Sequence, residues 1–336
     1  MLVTVLAADD RRPIDLGSYA NATADDVSYT QIQDNRPSLS LCSARNCTGA
    51  GCNEVVCAAE SDANCQPCWS WNAGVEGTFL DPHFHNTDNP QANQALGLVD
   101  PGWSAAPRIW LGIENNSGWG ARVRYWELGD SQSLFGIRDF QPGSIFDVTQ
   151  SLNMYDIDVE LTKQVDLGSW NLLGSFGGRF GSLDRLVRAG FLDLAAPANS
   201  MSFMFNNRVN AGGLTASLEL SRPIGIAGLE VFGSFRASEL WGDSDAFVAI
   251  RQNGAGTPSS TTFSDRFAAD LTICEAQVGL QCSKQLAYCP GTVFARCAFE
   301  YQSWIWSVPG GSPGQGLIFD PGVDLYGVAF AIGFCH

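Results

Sequence analysis

The sequence predicts an all-β fold, a transmembrane antiparallel up-and-down β-barrel of about ten strands. Three observations predict it: ten segments alternate apolar and polar residues with period two, their connections alternate long and short, and charge recurs on one face of segments whose other face is mainly apolar. Each segment has about the ten-residue length that a tilted strand needs to cross a bilayer.

The segments lie near 69–80, 106–115, 118–129, 152–163, 169–181, 208–222, 228–240, 269–282, 289–303 and 323–334. The odd-to-even links are long: 81–105, 130–151, 182–207, 241–268 and 304–322. The even-to-odd links are short: Asn116-Ser117, then 164–168, 223–227 and 283–288. Short periplasmic turns and long outer loops are the layout of bacterial outer-membrane barrels, and a soluble sandwich has no reason to keep that order. Both chain ends then fall on the periplasmic side.

Parity divides each strand into two faces. In 118–129, Trp119, Ala121, Val123 and Tyr125 oppose Gly120, Arg122, Arg124 and Trp126. In 152–163, Tyr155, Ile157, Val159 and Leu161 oppose Asp156, Asp158 and Glu160. In 323–334, Val328, Phe330, Ile332 and Phe334 oppose Gly327, Ala329, Ala331 and Gly333. One face suits lipid and the other a narrow interior. Arg108, Glu114, Arg122, Arg124, Asp156, Asp158, Glu160, Arg179, Glu219, Glu230, Arg236, Glu275, Arg296 and Glu300 are expected to line that interior. Unpaired buried charge costs several kcal/mol, so these groups should be paired or hydrated. Two readings stay open: a ladder of ion pairs that fills the barrel, and a water-filled lumen that conducts.

Composition narrows the function classes. The 336-residue chain carries a net charge of −16, which argues against nucleic acid as a partner. Lys163 and Lys284 are the only lysines among 19 cations, so the rest are arginine, the cation that best tolerates enclosure. Some 45% hydrophobic residues support a packed structure, while 16% charged residues and 36 glycines fit many strands with tight turns. No run of about 18 apolar residues is present, so no transmembrane helix is expected. The opening MLVTVLAADD lacks the basic start of a secretion signal.

Residues 1–68 form a separate irregular, Cys-rich segment, expected in the periplasm. Its six cysteines, Cys42, Cys47, Cys52, Cys57, Cys65 and Cys68, suit disulfides better than zinc, which would want two close pairs where only Cys65 and Cys68 form one. In the barrel, facing Cys282 against Cys289 across the 283–288 turn also sets Cys274 against Cys297 and Glu275 against Arg296. That register predicts a Cys282–Cys289 disulfide, with Cys274 and Cys297 a second candidate pair. His83 and His85 point the same way in an extended segment, yet nothing nearby completes a metal site except Asp81 or Asp88. An ordinary outer loop is the better reading, and no cofactor or metal is expected. His83, His85 and His336 are the only histidines, and none lies beside a serine in sequence, which disfavours an enzyme.

The stretch Ala106-Pro107-Arg108-Ile109-Trp110-Leu111-Gly112, followed by Asn115, Gly118, Gly120, Arg122, Arg124, Tyr125 and Trp126, resembles the signature of the Legionella-type pore-forming outer-membrane proteins, a family common in planctomycetes. The segments 156–161, 299–304 and 327–334 are also similar, and the likeness spans roughly 69–336. The final aromatic, Phe334, is followed by Cys335 and His336, whereas such barrels usually end on the aromatic. The resemblance implies a bacterial outer-membrane barrel in contact with lipid, forming a narrow pore for passive permeation of ions and small solutes, with no catalytic residues. The alternative is a non-conducting structural or adhesion barrel acting through its outer loops. Oligomeric state is not legible.

Overall fold

The computed structural model describes residues 69–84, 102–136, 144–193, 200–226, 228–254, 258–286, 291–307 and 322–336. The segment 1–68, with its six cysteines, lies outside the described residues, as do His85 and Cys289.

Ten strands form the barrel: β1 Trp69–Phe84, β2 Ser104–Asn115, β3 Trp119–Gly136, β4 Ser144–Leu167, β5 Trp170–Asp193, β6 Ser200–Pro223, β7 Leu229–Asn253, β8 Ser259–Gln285, β9 Thr292–Ser307 and β10 Gly322–Cys335. Each pairs antiparallel with its neighbours, and β1 closes the ring against β10 through Asn72↔Cys335 to Phe84↔Val323. Closure leaves every strand paired on both sides over its lower part, which is what a backbone in hydrocarbon requires.

Local chemistry sets the short turns. Between β2 and β3 the Gly118 amide donates to the Asn115 carbonyl at 2.9 Å. The Asn115 side-chain oxygen accepts from the Ser117 and Trp119 amides, both at 3.0 Å. Gly118 sits at φ 80°, a region that glycine enters without a Cβ penalty. Between β4 and β5, Leu167 pairs with Trp170 across two residues, with Gly168 at φ 67°.

The register of the β8–β9 hairpin corrects one expectation. Cys282 pairs with Ala295, Cys274 with Ser303 and Cys297 with Leu280, an offset of six residues from the expected pairing. The turn closes farther along the chain, where the Leu286 amide donates to the Gly291 carbonyl. Cys274, Cys282 and Cys297 are free thiols, so neither expected disulfide forms. Glu275 opposes Gln302, and Arg296 opposes Gln281. An even shift keeps every side chain on its own face, so the inward and outward assignments survive a wrong register.

Strand lengths give a second correction. The links at 130–151, 182–207 and 241–268 are largely strand: β4 to β8 run 24, 24, 24, 25 and 27 residues, against 12 to 16 for β1, β2, β9 and β10. Pairing of β3 with β4 continues to Gly136↔Phe146, and that of β7 with β8 to Gln252↔Ser259, whereas β2–β3 pairing stops at Arg108↔Trp126 and β8–β9 pairing at Asp270↔Ser307. An open sheet therefore rises above one side of the barrel. Period-two hydrophobicity fades there because both faces carry polar residues, although the hydrogen-bond ladder continues.

The outer surface below the raised sheet is apolar. Ile109, Leu111, Ile113, Val123, Val159, Leu161, Phe176, Leu218, Phe235, Val278, Leu280, Phe299, Phe330 and Ile332 are all exposed. Exposed Trp69, Trp71, Trp119 and Trp170 ring the short-turn end, and Phe180, Trp241 and Tyr301 mark the other limit. Beyond them come outward ion pairs, Arg208–Asp184 at 2.5 Å and Arg266–Asp243 at 2.7 Å. A continuous apolar band between aromatic girdles is the surface of a membrane-spanning barrel, since no water-facing surface of this size stays bare.

Candidate functional site: the barrel interior

The inward faces stack three layers. The middle one is ionic. Arg124 donates from Nε to Asp158 at 2.7 Å and from both Nη atoms to Glu275 at 3.1 and 2.9 Å. Arg179 donates to the same two carboxylates, reaching Asp158 Oδ2 at 3.1 Å and contacting Glu275 directly. Arg122 holds Glu160 at 3.0 and 2.8 Å, and Arg236 contacts Glu160 from the far side. Arg108 bridges Glu76 and Glu300, the latter at 2.6 Å. Gln277 and Gln302 each donate to Glu300, at 2.9 and 2.7 Å. Asp156 lies 3.6 Å from Arg179 and 3.9 Å from Arg124.

Five arginines thus face six carboxylates drawn from β1, β2, β3, β4, β5, β7, β8 and β9, and all but Arg122 are buried. Guanidinium suits this arrangement because one planar group serves two carboxylates at once.

Toward the tall end the interior turns apolar. Leu80, Trp126, Leu128, Leu152, Met154, Leu183, Val209, Leu240, Leu271, Ile273, Trp304, Val323 and Leu325 form one buried cluster to which all ten strands contribute, β2 through Ala106. Trp126 and Trp304 pack with ring centroids 5.8 Å apart. The Trp304 indole donates to Gln302 at 3.0 Å, joining this layer to the ionic one. Neither reading of the charged inward face, the ion-pair ladder or the water-filled lumen, includes an apolar layer at this level. Every strand places an apolar side chain inward at this height, and together these close the section.

Toward the short turns the interior opens into a vestibule of about 130 Å³ lined by Asn72, Trp110, Glu114, Arg122, Glu219, Arg236 and Arg296 among others. Arg296 donates to Glu219 at 2.7 Å and to Gln281 at 2.6 Å, and its guanidinium stacks 4.7 Å from the centre of Phe232. Glu230 is buried in the same inward row.

Of the residues expected inside, Arg108, Arg122, Arg124, Asp156, Asp158, Glu160, Arg179, Arg236, Glu275 and Glu300 meet in the ionic layer, while Glu114, Glu219 and Arg296 lie at the vestibule. Glu76, Gln277 and Gln302 escaped the sequence reading, although Glu76 shares inward parity with Ser70 and Thr78. The apolar layer escaped it too. Leu152 and Met154 share parity with Asp156, so extending that face by four residues would have found them.

His83 lies on β1 at the tall end, its Nε2 at 2.5 Å from the Tyr326 hydroxyl and its ring tilted at 42° against that tyrosine, centroids 4.4 Å apart. No group of three or more metal-ligating side chains gathers among the described residues.

Fold and interior together define a transmembrane β-barrel with an ionic belt beneath an apolar layer. No family model matches the chain, and no curated protein does. Among solved structures the chain is similar to the outer membrane protease OmpT from Escherichia coli, at 9% identity over 80% of this chain and 96% of that one, with a TM-score of 0.40. It is also similar to a major outer membrane protein from Thermus thermophilus, at 10% identity over 80% and 99% with a TM-score of 0.31. A third is the outer membrane protein OprG from Pseudomonas aeruginosa, at 13% over 78% and 94% with a TM-score of 0.25. At this identity and overlap the likenesses carry nothing about activity.

Proposed function

We propose that the chain is a bacterial outer-membrane barrel, of the kind its 106–126 motif suggests, whose lumen is sealed in the conformation described and whose work is done on the outer side by the raised sheet. The observation that carries this is the apolar cluster reached from all ten strands, with Leu80, Trp126, Leu240, Leu271, Trp304 and Leu325 fully buried. An ion crossing that layer would lose its hydration shell with no polar group to replace it. Short turns at one end and tall strands at the other favour an orientation with the sheet outside the cell and the vestibule in the periplasm.

A second reading, a gated narrow pore for ions and small solutes, draws support from the charged vestibule. It requires the apolar layer to part.

Recording from the purified, refolded protein in a planar bilayer tests both. The sealed barrel gives no steady current across salt and voltage, and Leu271→Ser or Trp304→Ser introduces discrete steps. Steady ohmic conductance from the unaltered protein overturns the sealed reading in favour of the pore.

A further inference from the structure

The outer face of the raised sheet holds two arginines unlike the others. Among the outward cations at this end, Arg208 is bound to Asp184 and Arg266 to Asp243. Arg188 on β5 and Arg251 on β7 are exposed and make no ion pair or hydrogen bond with any of the described residues. Both line a single recess of about 450 Å³.

The register explains the recess. Arg188 pairs with Met204, which pairs with Ala249; Gly190 pairs with Ser202, which pairs with Arg251. Gly190 and Ser202 form a low floor between taller neighbours. Ser260 lies beside Arg251 on β8, and Asp147 lies beside Gly190 on β4. With strands about 4.8 Å apart and residues about 3.4 Å along them, the two arginine Cα atoms stand about 12 Å apart. That is a span two long guanidinium side chains close around one anionic group.

Height names the ligand. Arg188 lies eight residues beyond Phe180, the outer aromatic limit on β5, and at the usual tilt this is about 20 Å above the hydrocarbon edge. A site at that height clears the lipid phosphates and lies among sugars. We infer that Arg188 and Arg251 form a binding site for a saccharide carrying phosphate or carboxylate groups. The guanidinia take the anion bidentately, and Ser202 and Ser260 serve sugar hydroxyls. Asp147, facing them across the floor, accepts from hydroxyls and holds the site's net charge low enough to select a sugar over bare phosphate.

The height rests on the membrane orientation proposed above, but the test does not, because it uses soluble probes. The full-length protein in detergent is titrated by calorimetry with three ligands: lipid-free phosphorylated core oligosaccharide, a soluble carboxylated polysaccharide, and inorganic phosphate. Arg188→Ala with Arg251→Ala should weaken binding of an anionic sugar by about a hundredfold, about tenfold for each charge-assisted contact. Asp147→Asn should narrow the preference for sugar over inorganic phosphate. Arg208→Ala, at a paired position nearby, should leave affinity unchanged. Tighter binding of the phosphorylated core identifies outer-leaflet glycolipid as the source, and tighter binding of the carboxylated polymer identifies a secreted one. No binding of either sugar, equal binding by the double variant, or equal loss in Arg208→Ala overturns the site. A conducting barrel in the bilayer recording would leave this result standing.

Discussion

Glu275 is the residue on which the interior charge turns. Arg124 and Arg179 both donate to it, and Arg108 lies 3.8 Å away. Glu275→Ala leaves Asp158 as the one carboxylate hydrogen-bonded to both Arg124 and Arg179, and removing one partner from a buried ionic group of this kind costs about 3–5 kcal/mol. Denaturant unfolding in detergent micelles should show that loss. Arg122→Ala should cost less, since its side chain is the one partly solvated member of the layer and Arg236 remains on Glu160. Equal losses for the two variants would mean the layer does not act as a connected network. On the other face, Cys274, Cys282 and Cys297 should all alkylate in unfolded, unreduced protein, as free thiols do, and substitution of any of them by serine should leave non-reducing electrophoretic mobility unchanged.

At the scale of one strand, β4 carries three environments along a single chain of residues. Val159 and Leu161 face outward into the apolar band, Asp156, Asp158 and Glu160 face the ionic layer, and Leu152 and Met154 face the seal. Val159→Arg places a charge on the lipid face between the girdles, a change worth about 2–4 kcal/mol near the bilayer midplane. Folding into vesicles should fall accordingly, whereas the same substitution at exposed Asn153, above the band, should be close to neutral. Similar effects at both positions would argue against the assigned membrane boundary. The tall strands β5 to β7 keep their ladders well past that boundary, so this part of the molecule is a platform of paired backbone and not a set of loose loops.

For the whole molecule, closure and sealing are separate achievements. Ring closure satisfies the backbone in lipid, while the fit of apolar side chains from every strand decides whether anything passes through. On the proposed sealed reading, Trp304→Ala should therefore show two effects: a stability loss of about 3–5 kcal/mol from the cavity, and a current that the unaltered barrel does not give. A loss of stability without current would mean that neighbouring side chains refill the section.

Much of this barrel is written in its residues alone. Which side chains face lipid and which face inward follows from parity, and parity does not depend on which residues are paired. That is why the inward arginines and carboxylates were legible although the β8–β9 register was not. The strand count follows from the period-two segments, and the alternation of short and long links from turns such as Asn115–Gly118, all of them local; that the long links continue as paired strand was not legible. Three things waited for the tertiary structure. Register, with the fate of Cys274, Cys282 and Cys297, depends on where the whole turn closes. Which arginine holds which carboxylate depends on side chains meeting across the lumen from strands far apart in sequence, as Arg108 meets Glu300 and Arg124 meets Glu275. And whether the lumen is open depends on the diameter of the ring measured against the bulk of the side chains within it. No single strand carries that quantity, and ten strands together bring Trp126, Leu240 and Trp304 into one closed layer.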